Sequence, residues 1–93
     1  MLQGIIQLEG IHSIKEKRRI VNSVKQRLRN KFYVSAAEVD LHDSLTFAQF
    51  GVALVTNDPL HGRRVMEKVT HFLEDQIPGV LYDVEYHYEE FGN

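Results

Sequence analysis

Two stretches of helical periodicity alternate with four short stretches of strand character, in the order strand–helix–strand–strand–helix–strand. Each helical stretch carries one apolar face, and each face must be buried against something. In the first, Val21, Val24 and Leu28 recur at spacings of three and four, with Ile14 and Ile20 at the margins. The segment Ser13-Ile14-Lys15-Glu16 opens it as a capping box. There the Ser13 hydroxyl accepts from the Glu16 backbone N–H, and the Glu16 carboxylate reaches back to Ser13. This pattern predicts a helix of about five turns with Asn30 near its end. The second helix starts at Asn57-Asp58-Pro59, with Asp58 as N-cap and Pro59 as first helical residue. Val65, Met66, Val69, Phe72, Leu73 and Ile77 form its apolar face, Gly62 on that face allows close approach to a sheet, and Pro78-Gly79 stops it.

The strands are predicted at residues 3–9, 32–39, 46–56 and 80–88. Gly51-Val52-Ala53-Leu54-Val55 is nearly continuous and apolar, which predicts a central strand buried on both faces. In the last strand Val80, Tyr82, Val84, Tyr86 and Tyr88 point one way, and Asp83, Glu85, His87 and Glu89 the other. The tyrosines are expected to pack under the second helix, with the acidic side on the open sheet face near Gln3 or Gln7. Two one-faced helices and four strands resolve into two layers, both helices on one face of an antiparallel sheet. Right-handed crossovers then give an α+β, ferredoxin-like sandwich of sheet order 4-1-3-2, a single domain over residues 1–93.

The chain has no cysteine, which removes disulfides, thiolate metal sites and a cysteine nucleophile together. The start Met1-Leu2-Gln3-Gly4-Ile5-Ile6, soon interrupted by Glu9, does not read as a signal peptide. No apolar run approaches the ~18 residues that span a bilayer. The cytoplasm is the expected compartment, and no membrane contact is expected.

A net charge of −2 hides a split. Between Lys15 and Lys31 eight basic residues face only Glu16, a net of +7; from Val65 onward Lys68 faces seven acids, a net of −6. Such asymmetry is an argument about partners and association.

Three segments carry a family resemblance: Ser13-Ile14-Lys15-Glu16-Lys17-Arg18-Arg19; Ala37-Glu38-Val39-Asp40 with Asp43; and Gly51-Val52-Ala53-Leu54-Val55-Thr56-Asn57-Asp58. Together they resemble the YlxP-like family of small bacterial proteins, a domain of unknown function, over nearly the whole chain. The chain departs from that pattern around Leu41-His42 and Leu45-Thr46-Phe47, where glutamine and a bulky aromatic are expected. The resemblance implies a ferredoxin-like fold and brings no activity, cofactor or catalytic residue. It also implies gene neighbourhoods concerned with translation and ribosome maturation, an association that favours an RNA-related role.

On a helical wheel Arg18, Asn22, Lys25 and Arg29 align, flanked by Lys15, Arg19 and Gln26. This cationic stripe of about three turns suits phosphates spaced along a nucleic-acid backbone. It equally describes a solvated face that keeps the protein soluble, or a docking surface for an acidic protein such as another copy's last strand. An RNA-recognition-motif reading fails, because the first strand lacks the aromatics on which bases stack. Glu38, Asp40, His42 and Asp43 form the best metal-like cluster, with Glu38 and Asp40 sharing a strand face. Strand-end carboxylates more often form turns or pair with lysines, so no metal is expected there. His71 lies four residues from both Glu67 and Asp75 on the polar face of the second helix, where a surface ion pair is expected; His12 and His87 lack a nucleophile or orienting partner, and no catalytic or phosphate-loop motif occurs.

The expected protein is therefore a noncatalytic accessory factor without cofactor or small-molecule substrate. It touches RNA or a ribosomal particle through Lys15, Arg18, Arg19, Asn22, Lys25 and Arg29. The alternative is a self-associating module, a homodimer formed through the open sheet face or by pairing basic helix with acidic strand.

Overall fold

The computed structural model describes residues 1–89. The elements are β1 (Leu2–Gln7), α1 (Ile14–Phe32), β2 (Ser35–Asp40), β3 (Phe47–Ala53), α2 (Pro59–Asp75) and β4 (Val80–Tyr86). The antiparallel sheet runs β2-β3-β1-β4, the predicted order. Leu2 and Ile6 of β1, Ala36 of β2, and Ala48, Phe50 and Val52 of β3 are buried together with Val21, Val24 and Leu28 of α1 and Val65, Met66, Val69, Phe72 and Leu73 of α2. Among the described residues no helix is long and apolar enough to cross a membrane.

Both helices begin as the sequence predicts. Ser13 Oγ accepts from Glu16 N at 3.1 Å. The reciprocal arm goes one residue further back than expected: the Glu16 carboxylate accepts from His12 N, not Ser13 N. Asp58 Oδ1 accepts from Leu60 N and His61 N at 3.1 and 3.3 Å. Asp58→Ala should therefore cost about 1 kcal/mol, read from chemical unfolding.

The helices end differently from the prediction. α1 continues through Phe32, which packs edge-on against Phe72 at 5.7 Å, so β2 starts only at Ser35. α2 stops at Asp75, three residues before Pro78. Gly62 does not face the sheet: a Cβ there would meet Thr56 Cγ2 in the β3–α2 connection. Close approach to the sheet is made instead by Gly79, where a Cβ would lie 2.5 Å from Gln7 O. Neither backbone yields cheaply, so Gly79→Ala should cost about 1–3 kcal/mol by the same unfolding measurement.

β3 is central, but not because both its faces are buried. Ala48, Phe50 and Val52 lie under the helices, whereas Val55 is exposed beyond the strand end. Two register shifts then overturn simple alternation. In β4 the pairing slips between Ile5, opposite Asp83, and Ile6, opposite Leu81. The extra residue turns Tyr82 to the open face, where it meets Phe47 edge-on at 5.3 Å, while Leu81 and Val84 pack on the core. Tyr86 does lie beneath α2, its hydroxyl bonded to Thr70 Oγ1, and Tyr88 stacks on Tyr86 beyond the strand. In β2 the pairing slips between Glu38, opposite Phe50, and Asp40, opposite Gln49. Glu38 therefore turns to the helices and Asp40 to the other face, so the two do not share one.

Candidate nucleic-acid interface

The apolar stripe of α1 carries an unadvertised member. Lys17 stands four, seven and eleven residues before Val21, Val24 and Leu28, in register with them, and is 1% exposed. Its Nζ donates to Leu41 O at 2.5 Å and Phe47 O at 2.8 Å, and lies 3.2 Å from Glu38 Oε2. Lys17 thus ties α1 to both ends of the β2–β3 hairpin loop, including Leu41, which has a positive φ of 63°. It belongs to the +7 segment in sequence only; its charge is spent inside the fold. The Glu38 contact is an ion pair outside hydrogen-bond geometry, which leaves Oε2 without a hydrogen-bond donor among the described residues.

The metal-like cluster is thereby dispersed. Glu38 serves Lys17, Asp40 Oδ1 accepts from Leu41 N, and His42 Nε2 lies 3.1 Å from Glu38 O. No group of three His, Cys, Asp or Glu side chains is arranged around a common point among the described residues. Asp43 is exposed in the turn.

The remaining cations of α1 face outward. Lys15, Arg18, Arg19, Asn22 and Arg29 are exposed, and Lys25 is half-buried. Among the described residues none of these cations has a carboxylate within 4.0 Å; the ion pairs there involve Lys17, His42, His71 and His87. Arg29 is partly committed, because its Nη2 donates to Ala36 O at 2.6 Å. β2 is an edge strand, and this bond covers part of its open edge. Arg27 and Lys31 lie on another face, over the rings of Phe72 and Phe32. The face left for a partner is therefore Lys15, Arg18, Arg19, Asn22 and Lys25, with Arg29 at one end.

A concavity of about 460 Å³ lies where the β3–α2 connection meets the segment after β4. Thr56, Asn57, Gly62, Arg63 and Tyr88 line it, with the Arg63 guanidinium 4.8 Å from the Tyr88 ring centre. Partial burial, then Tyr86 beside it, push the Tyr88 phenol above its ordinary range; Arg63 opposes the shift and Glu67 adds a smaller push. Because the fold holds this phenol protonated, its contribution to stability is complete below pH about 10 and is lost as pH rises through the raised value. Tyr88→Phe should remove from an alkaline absorbance titration a phenol that ionises above the ordinary range.

Residues 1–86 match the family described as "Protein of unknown function (DUF503)". The chain is also 31% identical over 62 residues to a protein of Bacillus subtilis (strain 168) named "Uncharacterized protein YlxP", covering 67% of each. The segments that carried the resemblance now have structural roles. Ser13 and Glu16 cap α1, Lys17 and Glu38 pair across the layers, Val39 packs over the space a Gly51 side chain would need, and Asp58 caps α2. With the family match spanning all six elements of the sandwich, the chain belongs to the YlxP-like DUF503 family.

Proposed function

We propose that this protein is a noncatalytic accessory factor that holds RNA by its phosphate backbone along α1. The observation that carries the reading is the row of outward cations without a carboxylate within 4.0 Å among the described residues. Arg18, Lys25 and Arg29 stand about 10 and 6 Å apart along the axis, a spacing a sugar–phosphate chain can follow. Like charges one turn apart, Lys15 with Arg18 and Arg19 and Lys25 with Arg29, repel by a few tenths of a kcal/mol per pair. A polyanion relieves that repulsion and releases its own counterions on binding. The gene-neighbourhood association of the family supports the choice of RNA.

The test is a filter-binding titration against structured RNA across salt concentrations. Contact with three or four phosphates should give a log–log slope of about −2 to −3.5. No binding at low salt, or a flat slope, would rule the reading out.

A second reading, self-association, is favoured by the open sheet face. Tyr82 and Val80 are 65% and 56% exposed there, with Tyr82 against Phe47. Light scattering across concentration should then show a dimer that Tyr82→Lys dissociates. A monomer throughout would remove this reading and leave the first intact.

A further inference from the structure

α1 does not end on the glycine or asparagine that usually takes the left-handed position after a helix. Its C-cap is Tyr33, with φ 55° and ψ 43°, whose N–H donates to Arg29 O at 3.0 Å. A bulky side chain meets a steric penalty in that conformation. Packing does not offset it, because the residue is 87% exposed, more than Tyr82, Tyr86 or Tyr88. Among the described residues the Tyr33 hydroxyl has no hydrogen-bond partner and its ring no aromatic or cationic neighbour. Phe32 beside it, by contrast, contacts both Phe72 and Lys31. A strained backbone that presents an apolar ring to water is a cost the fold alone does not explain.

Position supplies a reason. Tyr33 stands one turn, about 6 Å, beyond Arg29 at the end of the cationic row. Proteins that grip single-stranded nucleic acid combine a cationic track for the backbone with aromatic rings on which bases stack. Tyr33 completes that pair of features on one helix. We infer that Tyr33 is a stacking platform for an unpaired nucleobase of the same RNA whose phosphates run along α1. This rests on the α1 reading above and narrows it. The ligand carries a single-stranded nucleotide next to its phosphate contacts, and the choice of base is loose because every base offers a π-face.

The chain contains no tryptophan, so Tyr33→Trp creates a sole indole reporter. Titration with oligouridylate should quench its fluorescence; inorganic polyphosphate and a blunt RNA duplex should bind or compete without quenching. Tyr33→Gly relieves the left-handed strain and should raise the thermal midpoint. It should nevertheless weaken oligouridylate binding about tenfold while leaving polyphosphate binding unchanged. Tyr33→Phe should bind like the wild type.

Equal quenching by polyphosphate or duplex overturns the inference. So does a stabilised Tyr33→Gly protein that binds oligouridylate as tightly as the wild type. Salt-dependent RNA binding that leaves the indole fluorescence of the Tyr33→Trp protein unchanged removes the stacking role alone and leaves the α1 reading standing. If neither oligouridylate nor polyphosphate binds at low salt, both fall together.

Discussion

Lys17→Met should lower the stability of this domain by about 3–5 kcal/mol, among the largest losses open to a single substitution. The side chain is almost fully enclosed, and the backbone carbonyls of Leu41, His42 and Phe47 and the Glu38 carboxylate converge on its ammonium group. Methionine fills similar volume, so the loss does not come from a cavity. It comes from leaving Glu38, whose side chain is 12% exposed, without its lysine; among the described residues the only other cation near it is the exposed His42 at 3.9 Å, charged only when its imidazole is protonated. Chemical unfolding followed by circular dichroism measures it, and the thermal midpoint should fall by at least about 12 °C. The double variant Lys17→Met/Glu38→Leu should recover much of the loss, since removing both charges also removes their desolvation cost. A residual deficit of about 1–2 kcal/mol should remain from Leu41 O and Phe47 O, which lose their donor. If Lys17→Met unfolds at the wild-type denaturant concentration, the pair contributes nothing and the hairpin is held by other contacts.

The other large effect concerns RNA. Replacing Arg18, Arg19 and Lys25 together by glutamine should weaken binding about a hundredfold at 0.1 M salt and flatten the salt slope by about 2–3. Each lost phosphate contact forfeits about 0.7–0.9 of a decade for every tenfold dilution of salt below 1 M. These three positions are chosen because none makes an internal hydrogen bond or ion pair among the described residues, so the fold should survive. Arg29→Gln is a less clean variant, because Arg29 also donates to Ala36 O on the edge of β2. It should weaken binding and lower stability together. Unchanged affinity in the triple variant would show that the stripe serves solubility alone.

Features set by neighbours in the chain were legible from sequence. The cap at Ser13, the cap at Asp58 with Pro59 after it, and the stripes through Val21 and Val69 depend on local hydrogen bonds and helical period, and all appear in the structure. The sheet order followed from two one-faced helices and right-handed connections. What failed depends on pairing between distant segments. The bulges that turn Tyr82 outward and separate Glu38 from Asp40 arise from β1 and β3 as partners, and nothing within β4 or β2 alone marks them. Lys17 was readable in principle, since a lysine in step with Val21, Val24 and Leu28 cannot point to water without leaving the stripe. Counting it with its charged neighbours hid that. Of the six candidate interface residues, Lys15, Arg18, Arg19 and Asn22 are exposed, Lys25 is half-buried, and Arg29 is shared with the sheet. Tyr33 was missed because the expected helix ended early, so its left-handed backbone fell inside a predicted strand.

The place of β1 in the sheet also bears on how the chain is made. β1 precedes the other strands in the chain yet lies between β3 and β4, and its ladders join Leu2 to Val52 on one side and to Tyr86 on the other. Neither ladder can close until the chain has grown by some fifty and then some eighty residues. During translation the apolar Leu2 and Ile6 wait without partners, and the cationic α1 emerges long before the acids of β4. A nascent chain in that state carries a net positive charge, whereas residues 1–93 together carry −2, beside a ribosome whose surface is rich in phosphate. The sheet is therefore completed only after the last of its strands has emerged.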